Sequence, residues 1–241
     1  MAKIHMILQG KGGVGKSVVA ALLAQYKAEK GHKTLCIDTD PVNATFHAYQ
    51  ALDVHQIALL EEDEIVPRRF DDLVEIIAPS ECDVIIDNGA SAFVPLTHYL
   101  ISNQVPAILA KMNHELVIHT VVTGGQALLD TVNGFRQLAS QFPAEASFVV
   151  WLNPFWGPIQ HEGKPFEQLK AYLDCKSRIA AIVQIPALKP ETFGRDLGDM
   201  LQARLTFDEA LATAALTIMT RQRLKIIKGK LFEHLDQAVV L

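Results

Sequence analysis

Short apolar runs recur along the chain, each closing on a polar residue or a turn. They are Lys3 to Gln9 (KIHMILQ), Lys33 to Asp38 (KTLCID), Asp83 to Gly89 (DVIIDNG), Val105 to Lys111 (VPAILAK), Ser147 to Asn153 (SFVVWLN) and Ala180 to Ile185 (AAIVQI). Runs this short and this apolar predict strands buried on both faces, as in a parallel sheet. The segments between them repeat apolar residues every three or four positions. Val19, Leu22, Leu23 and Tyr26 make such a stripe within Val18 to Lys30, which stops at Gly31. Arg69 to Ile77 and Thr120 to Gln141 read as further helices, the second weakened at Gly124 and Gly125, and from Glu191 the pattern is helical to the end. Strand and helix in turn predict an α/β fold: a mainly parallel, twisted sheet covered by helices on both faces.

At 241 residues the chain suits one large domain, 1–241, with a substantial core. Hydrophobic residues at 49% against 20% charged fit a doubly covered sheet and exclude a disordered chain. The net charge of −5 supplies no general attraction to nucleic acid or anionic lipid, so any such contact has to be local. Cys36, Cys82 and Cys175 lie far apart and form no C-x-x-C pair. They read as reduced, buried thiols of a cytosolic protein, not metal ligands. The N-terminal MAKIHMILQG is already strand and loop, and no window approaches the roughly 18 apolar residues of a membrane span. A cytoplasmic location is expected.

Candidate chemistry begins where the first run ends. Leu8 to Val19 (LQGKGGVGKSVV) carries Gly10, Gly15, Lys16 and Ser17 in the G-x-x-x-x-G-K-[ST] spacing of a phosphate-binding P-loop, between a strand and a helix as that device requires. Glycines let successive backbone N–H groups turn inward around a phosphate, while the lysine reaches the β/γ oxygens and the hydroxyl sits on Mg²⁺. Gly10, Lys11, Gly12, Gly13, Val14, Gly15, Lys16, Ser17 and Val18 are therefore the expected contacts to a nucleoside triphosphate. Strand-ending acids fall where parallel sheets bind ligands: Asp38 and Asp40 in DTDP, and Asp87 in DVIID, a Walker B pattern that supports Mg²⁺ through water.

Lys11 makes the loop KGGVGKS, which resembles the deviant Walker A of the ParA/MinD family of ATPases. KGGVGKS, DTDP, DVIID, the Leu152–Asn153 that ends a late strand and the Ile185–Pro186 turn stand in that family's order, so the resemblance spans nearly the whole chain. It implies a single-domain P-loop NTPase fold, ATP and Mg²⁺ as cofactors, and an ATP-dependent homodimer in which Lys11 crosses to the partner's nucleotide. By the same match Lys11, Lys16 and Asp40 are catalytic, with Asp40 orienting the water that attacks the γ-phosphate. Ser17, Asp38 and Asp87 hold Mg²⁺, the acids through water. Asn153 reads the adenine edge and Pro186 touches the same base. Two departures stand out. Relatives commonly have Gln-Gly-Asn after the switch proline, whereas Val42 here leads directly to Asn43 and on to Thr45. They often place a proline soon after the second aspartate, where this chain has Asn88, Gly89, Ala90 and Ser91.

Within the family the resemblance is to members that serve plasmid conjugation, which implies an ATP-driven dimerisation switch and a protein partner in that machinery. Two other readings share the motifs. A DNA-partition ATPase would show salt-sensitive DNA binding with ATP, and the net charge argues against it. A small-molecule ligase of the dethiobiotin synthetase type shares fold and P-loop, but Lys11 and DTDP favour the switch. An iron–sulfur reductase would need paired interface cysteines, and Cys82 and Cys175 do not fall at those positions.

Other expectations are structural. Glu61 to Glu64 reads as a solvated acidic lead-in to a crossover helix, and Asn113, His114 and Glu115 as a solvated loop past a strand's C-terminal end. In the long loop Pro154 to Phe166, Trp156 is expected to pack, with covering the base or anchoring a partner as alternatives, and His161 to be solvated. Arg221, Arg223, Lys225, Lys228 and Lys230 form a basic segment threaded by Leu224, Ile227, Leu231 and Leu235. The apolar stripe should pack on the sheet, and contact with DNA or a membrane surface is not favoured.

Overall fold

The strands are β1 (Lys3–Ile7), β2 (Thr34–Asp38), β3 (His55–Gln56), β4 (Asp83–Asp87), β5 (Glu115–Thr123), β6 (Ala146–Asn153) and β7 (Ile179–Gln184). In the computed structural model these seven form one sheet in the order β7-β6-β5-β1-β4-β2-β3, every pairing parallel. The structure describes residues 1–61 and 64–241. The acidic lead-in expected over Glu61 to Glu64 lies outside the described residues: Glu62 and Asp63 entirely, and the side chains on either side.

Alternate residues of each strand serve opposite faces, as the pleat requires. Ile4 and Met6 of β1 and Val84 and Ile86 of β4 face one layer, made by α2 (Arg69–Ile77), α3 (Phe93–Ser102), α4 (Val105–Lys111), α5 (Leu128–Gln141) and α6 (Lys170–Cys175). Ile7, Ile85, Val149 and Trp151 face the other. It is formed by α1 (Lys16–Glu29) with α7 (Arg195–Gln202), α8 (Phe207–Ala212) and α9 (Ile218–Asp236). The α9 stripe Leu224, Ile227, Leu231 and Leu235 is fully buried in this second layer, as its spacing required. Register sets the functional end of the sheet: Asp38 pairs Asp87 across β2 and β4, and Ile7 pairs Asp87 across β1 and β4. Three strands thus deliver their last residues to one place.

One stretch departs from the expected order. Val105–Lys111 is a helix, and the strand is Glu115–Thr123, which takes in Glu115 from the expected loop and Thr120 to Thr123 from the expected helix. A short apolar run has no periodicity to separate strand from helix. Here Pro106 sits in the first helical turn after Gln104 in the left-handed region (φ 52), a helix start. In Glu115–Thr123 the β-branched Val117, Ile118, Thr120, Val121, Val122 and Thr123 favour the pleat, and Gly124–Gly125 ends a strand instead of weakening a helix. Asn113, His114 and Glu115 consequently lie at the opposite end of the sheet from the glycine loop. His114 is not solvated: it is 9% exposed, takes the Ala2 N–H on Nδ1 at 3.3 Å and meets the Ala78 carbonyl through Nε2 at 2.9 Å.

Candidate functional site

The chain leaves β1 under restraint. Leu8 N donates to the His119 carbonyl at 2.8 Å, and the buried Gln9 amide donates to Val121 O and Thr131 O, each at 3.1 Å. Gly13 (φ +71) and Gly15 (φ +104) then occupy the left-handed region, where a side chain would be strained. Helix α1 starts at Lys16 with no side-chain cap and no acidic residue in its first turn. Its first N–H groups and the positive end of its dipole are left for an anion. Lys16 is only 8% exposed, and its Nζ donates to the Lys11 carbonyl at 3.1 Å. Burial pushes its pKa down, and the nearby Asp87 and Asp40 charges pull it part of the way back.

Three carboxylates, alike in sequence, differ in their surroundings. Asp38 takes the Asp40 N–H on one oxygen and the His47 N–H on the other, both at 2.8 Å. Burial raises its pKa, those hydrogen bonds oppose the rise, and the Asp40 charge adds to it. Asp40 instead folds its own loop, with Oδ1 accepting from Val42 N at 2.9 Å and Asn43 N at 3.2 Å. Asp87 is the exposed case electrically, though not sterically: it is 1% exposed, and neither oxygen has a hydrogen-bond partner of good geometry. Burial drives its carboxyl up to about 7; the Ser17 hydroxyl and Lys16 oppose this, and Asp38 and Asp40 add to it.

The departure after Asp87 has a steric reason. A Cβ on Gly89 would lie 2.6 Å from Asp40 Oδ1 and 3.0 Å from Pro41 Cδ, so the turn carrying Asp40 rests directly on that glycine. Thr39 Oγ1 donates to the Asp87 carbonyl at 2.9 Å and to Asn88 Oδ1 at 3.3 Å, closing the two loops together.

Above these groups opens a cleft of about 550 Å³. Gly12, Gly13, Gly15, Lys16, Ser17 and Val18 form one wall, and Asp40, Val42, Asn43, Thr45, Ala90 and Ser91 the other. Among the described residues no three His, Cys, Asp or Glu side chains converge to bind a metal directly. A hydrated Mg²⁺ nevertheless fits the donor set: the Ser17 hydroxyl, with the unpartnered Asp87 carboxylate and Asp38 behind it, is what a hard, water-retaining cation prefers.

The remaining expected contacts are distributed around the loop. Lys11 is half exposed and pairs with Asp130 of α5 at 2.8 Å. A Cβ on Gly10 would meet Phe93 at 2.9 Å. Asn153 ends β6 against the loop, its Nδ2 donating to the Val14 carbonyl at 2.9 Å and its Oδ1 taking the Phe155 N–H at 3.2 Å. Pro186 follows Ile185, whose N–H bonds Leu152 O at 2.9 Å, so the strand ends carrying Asn153 and Pro186 are neighbours. Trp156 does not pack as expected: it is 60% exposed and Phe155 is 73% exposed. Gln9, Gly89 and Asp130 had no assigned role in the sequence. Gln9 alone left a signal, a polar residue closing an apolar strand just before the glycines.

Part of the basic C-terminal segment is engaged within the chain. Arg223 pairs with Asp196, Lys228 pairs with Glu29 and Asp208 at 2.8 and 2.7 Å, and Arg221 donates to the Thr213 carbonyl at 3.2 Å. Among the described residues no helix is long and apolar enough to cross a membrane.

Comparison with known proteins bears on the same geometry. Residues 5–229 match the model of the CobQ/CobB/MinD/ParA nucleotide binding domain. Protein TraL of Escherichia coli is 72% identical over 241 residues, covering all of both chains. The MinD cell division protein of Aquifex aeolicus superposes with a TM-score of 0.52 at 16% identity, over 96% of this chain and 97% of that one, and a chain of the MinC:MinD cell division protein complex of the same organism gives 0.51 at 16% identity over 96% of each. The structural likeness speaks for the fold, and the sequence match for descent. By its glycine loop, its parallel sheet and the span of that match, the chain belongs to the CobQ/CobB/MinD/ParA nucleotide-binding family, with TraL as a full-length relative.

Proposed function

We propose that this chain is an ATP-binding, slowly ATP-hydrolysing dimerisation switch of the cytoplasm that serves plasmid conjugal DNA transfer. One observation carries the nucleotide reading: Lys16 and Asp87 are buried beside an uncapped helix N-terminus without neutralising each other, Lys16 turning to a carbonyl and Asp87 finding no partner. Unpaired buried charge is costly unless a ligand completes it. A triphosphate supplies negative oxygens for Lys16 and the α1 N–H groups. Ser17, Asp38 and Asp87 would hold a hydrated Mg²⁺, whose charge would offset the negative charge of the phosphates.

In this reading the backbone of Gly10 to Val18 cradles the phosphates, Ser17, Asp38 and Asp87 hold the hydrated cation, and Asn153 with Pro186 borders the adenine. Asp40 keeps Oδ1 on its own loop and offers Oδ2 to the attacking water. Lys11 would leave Asp130 and reach the second protomer's phosphates. The conjugation role rests on the TraL resemblance and implies a protein partner in that machinery, still to be captured.

The test is light scattering of purified protein with ATP and Mg²⁺. Asp40→Ala should bind ATP, hydrolyse it hardly at all and accumulate as a dimer, because water positioning acts in the transition state and not in ground-state binding. Adding Lys11→Ala should return it to monomer. An ATP-loaded Asp40→Ala monomer, or a dimer indifferent to Lys11→Ala, would sink the switch while leaving the nucleotide site intact.

A further inference from the structure

A phosphate cradle works only if its N–H groups face the ligand, which requires its carbonyls to face outward and be held there. In this chain two successive carbonyls of the loop are capped from one short segment. Asn153 Nδ2 donates to Val14 O at 2.9 Å, and Trp156 Nε1 donates to Gly13 O at 3.4 Å. Asn153 Nδ2 also fills the space a Cβ on Gly15 would need, at 3.0 Å. The segment bearing these donors is itself fixed. A Cβ on Gly124 would stand 2.1 Å from Gly157 O, and one on Gly125 2.6 Å from Trp156 O, so the β5 end presses on the segment's backbone with no room for side chains. Asn153 Oδ1 on Phe155 N closes the turn between the two donors.

We propose that Asn153 to Gly157 is a clamp that sets the conformation of the phosphate loop, with Trp156 as its positioning residue. Trp156 acts through the Gly13 carbonyl and not by stacking on a base. It remains 60% exposed while its indole N–H is spent on the loop, and its ring meets that of Phe155 in a T-shaped contact with centroids 4.9 Å apart. The inference rests on the nucleotide reading for its functional consequence but not for the clamp itself.

The test uses Trp156→Phe, which keeps an aromatic ring and removes the N–H. In nucleotide-free protein, hydrogen exchange across Gly10 to Val19, including the Val19 N–H bonded to Gly15 O, should quicken while exchange in β4 stays unchanged. With Mg²⁺, affinity for ATP and for GTP should both fall about fivefold, the worth of one ordinary hydrogen bond, so that their ratio is preserved. In the parent protein the emission of exposed Trp156 should shift on adding ATP, and Trp156→Phe, which retains only buried Trp151, should show no shift. Unchanged exchange in the loop overturns the clamp. A changed ATP-to-GTP ratio overturns it in favour of base stacking. Loop exchange that quickens in a protein whose parent binds no ATP overturns the nucleotide reading and leaves the clamp standing.

Discussion

Helix α1 and strand β4 meet twice, at the two ends of the sheet, and each meeting places a buried lysine beside an aspartate, half-buried at the far end and fully buried at the glycine end. At the far end Lys27 and Asp83 close on each other at 2.6 Å, and Asp83 also takes the Lys3 N–H at 2.8 Å. Burial pushes the Asp83 pKa up, but Lys27 and the Lys3 amide outweigh it, and the net shift is downward. At the glycine end Lys16 turns to a carbonyl, and Asp87, four residues further along the same strand, is driven up to about 7. The same two residue types from the same two elements are self-satisfied at one end and incomplete at the other. The incomplete end faces the cleft, and incompleteness is what a ligand site requires.

The same substitution at the two ends should therefore differ in sign as well as size. Asp83→Asn leaves Lys27 buried without its charge partner and should cost about 3 to 5 kcal/mol in urea unfolding; a loss below about 1 kcal/mol would mean the pair is idle. Lys16→Ala should weaken ATP binding about a hundredfold in an equilibrium titration, since no other buried cation lines the cleft among the described residues. Asp87→Asn should do the reverse of Asp83→Asn and stabilise the nucleotide-free protein by about 2 kcal/mol at pH 8, where the parent carboxylate is ionised and unpartnered. The same variant should lose the thermal stabilisation that Mg²⁺ with ATP confers. An equal destabilisation of both asparagine variants would erase the contrast between the two ends.

The smallest effect belongs to a third buried polar group, neutral and hydrogen-bonded throughout except at His5 Nε2, which has no partner. Trp151 Nε1 donates to His119 Nδ1 at 2.9 Å, which leaves His119 Nε2–H to donate to His5 Nδ1, also at 2.9 Å. Both imidazoles are fully buried; desolvation foremost, then the Lys27 charge, lowers His119 to about 3, and burial with the His119, Lys27 and Lys3 charges lowers His5 as well. A histidine with a depressed folded pKa binds its proton more readily unfolded. Its contribution is therefore present above the unfolded pKa and lost as pH falls from about 6.5 towards 3. Comparing denaturant unfolding at pH 7 and pH 5.5, the parent should lose about 1 kcal/mol more than His119→Gln. Equal losses would place the titration elsewhere.

By itself the sequence determined whatever is local and periodic. The glycine loop with its flanking strand and helix follows from residues close in the chain, and so do the acids that end β2 and β4 and the α9 stripe. Each obeys a spacing rule that needs no knowledge of the rest of the chain. Tertiary structure decided what depends on distant partners. Val105–Lys111 became a helix and Glu115–Thr123 the strand, because a short apolar run carries no period and the sheet selects the β-branched segment. Asp38, Asp40 and Asp87 look alike in sequence, and only the register of β2 against β4 ties the first to backbone, turns the second onto its own loop and leaves the third without a partner. Gly89 under Asp40 and Trp156 against Gly13 are contacts across 49 and 143 residues of chain. No local spacing encodes a contact of that separation; it exists only once the sheet has fixed where each loop must end.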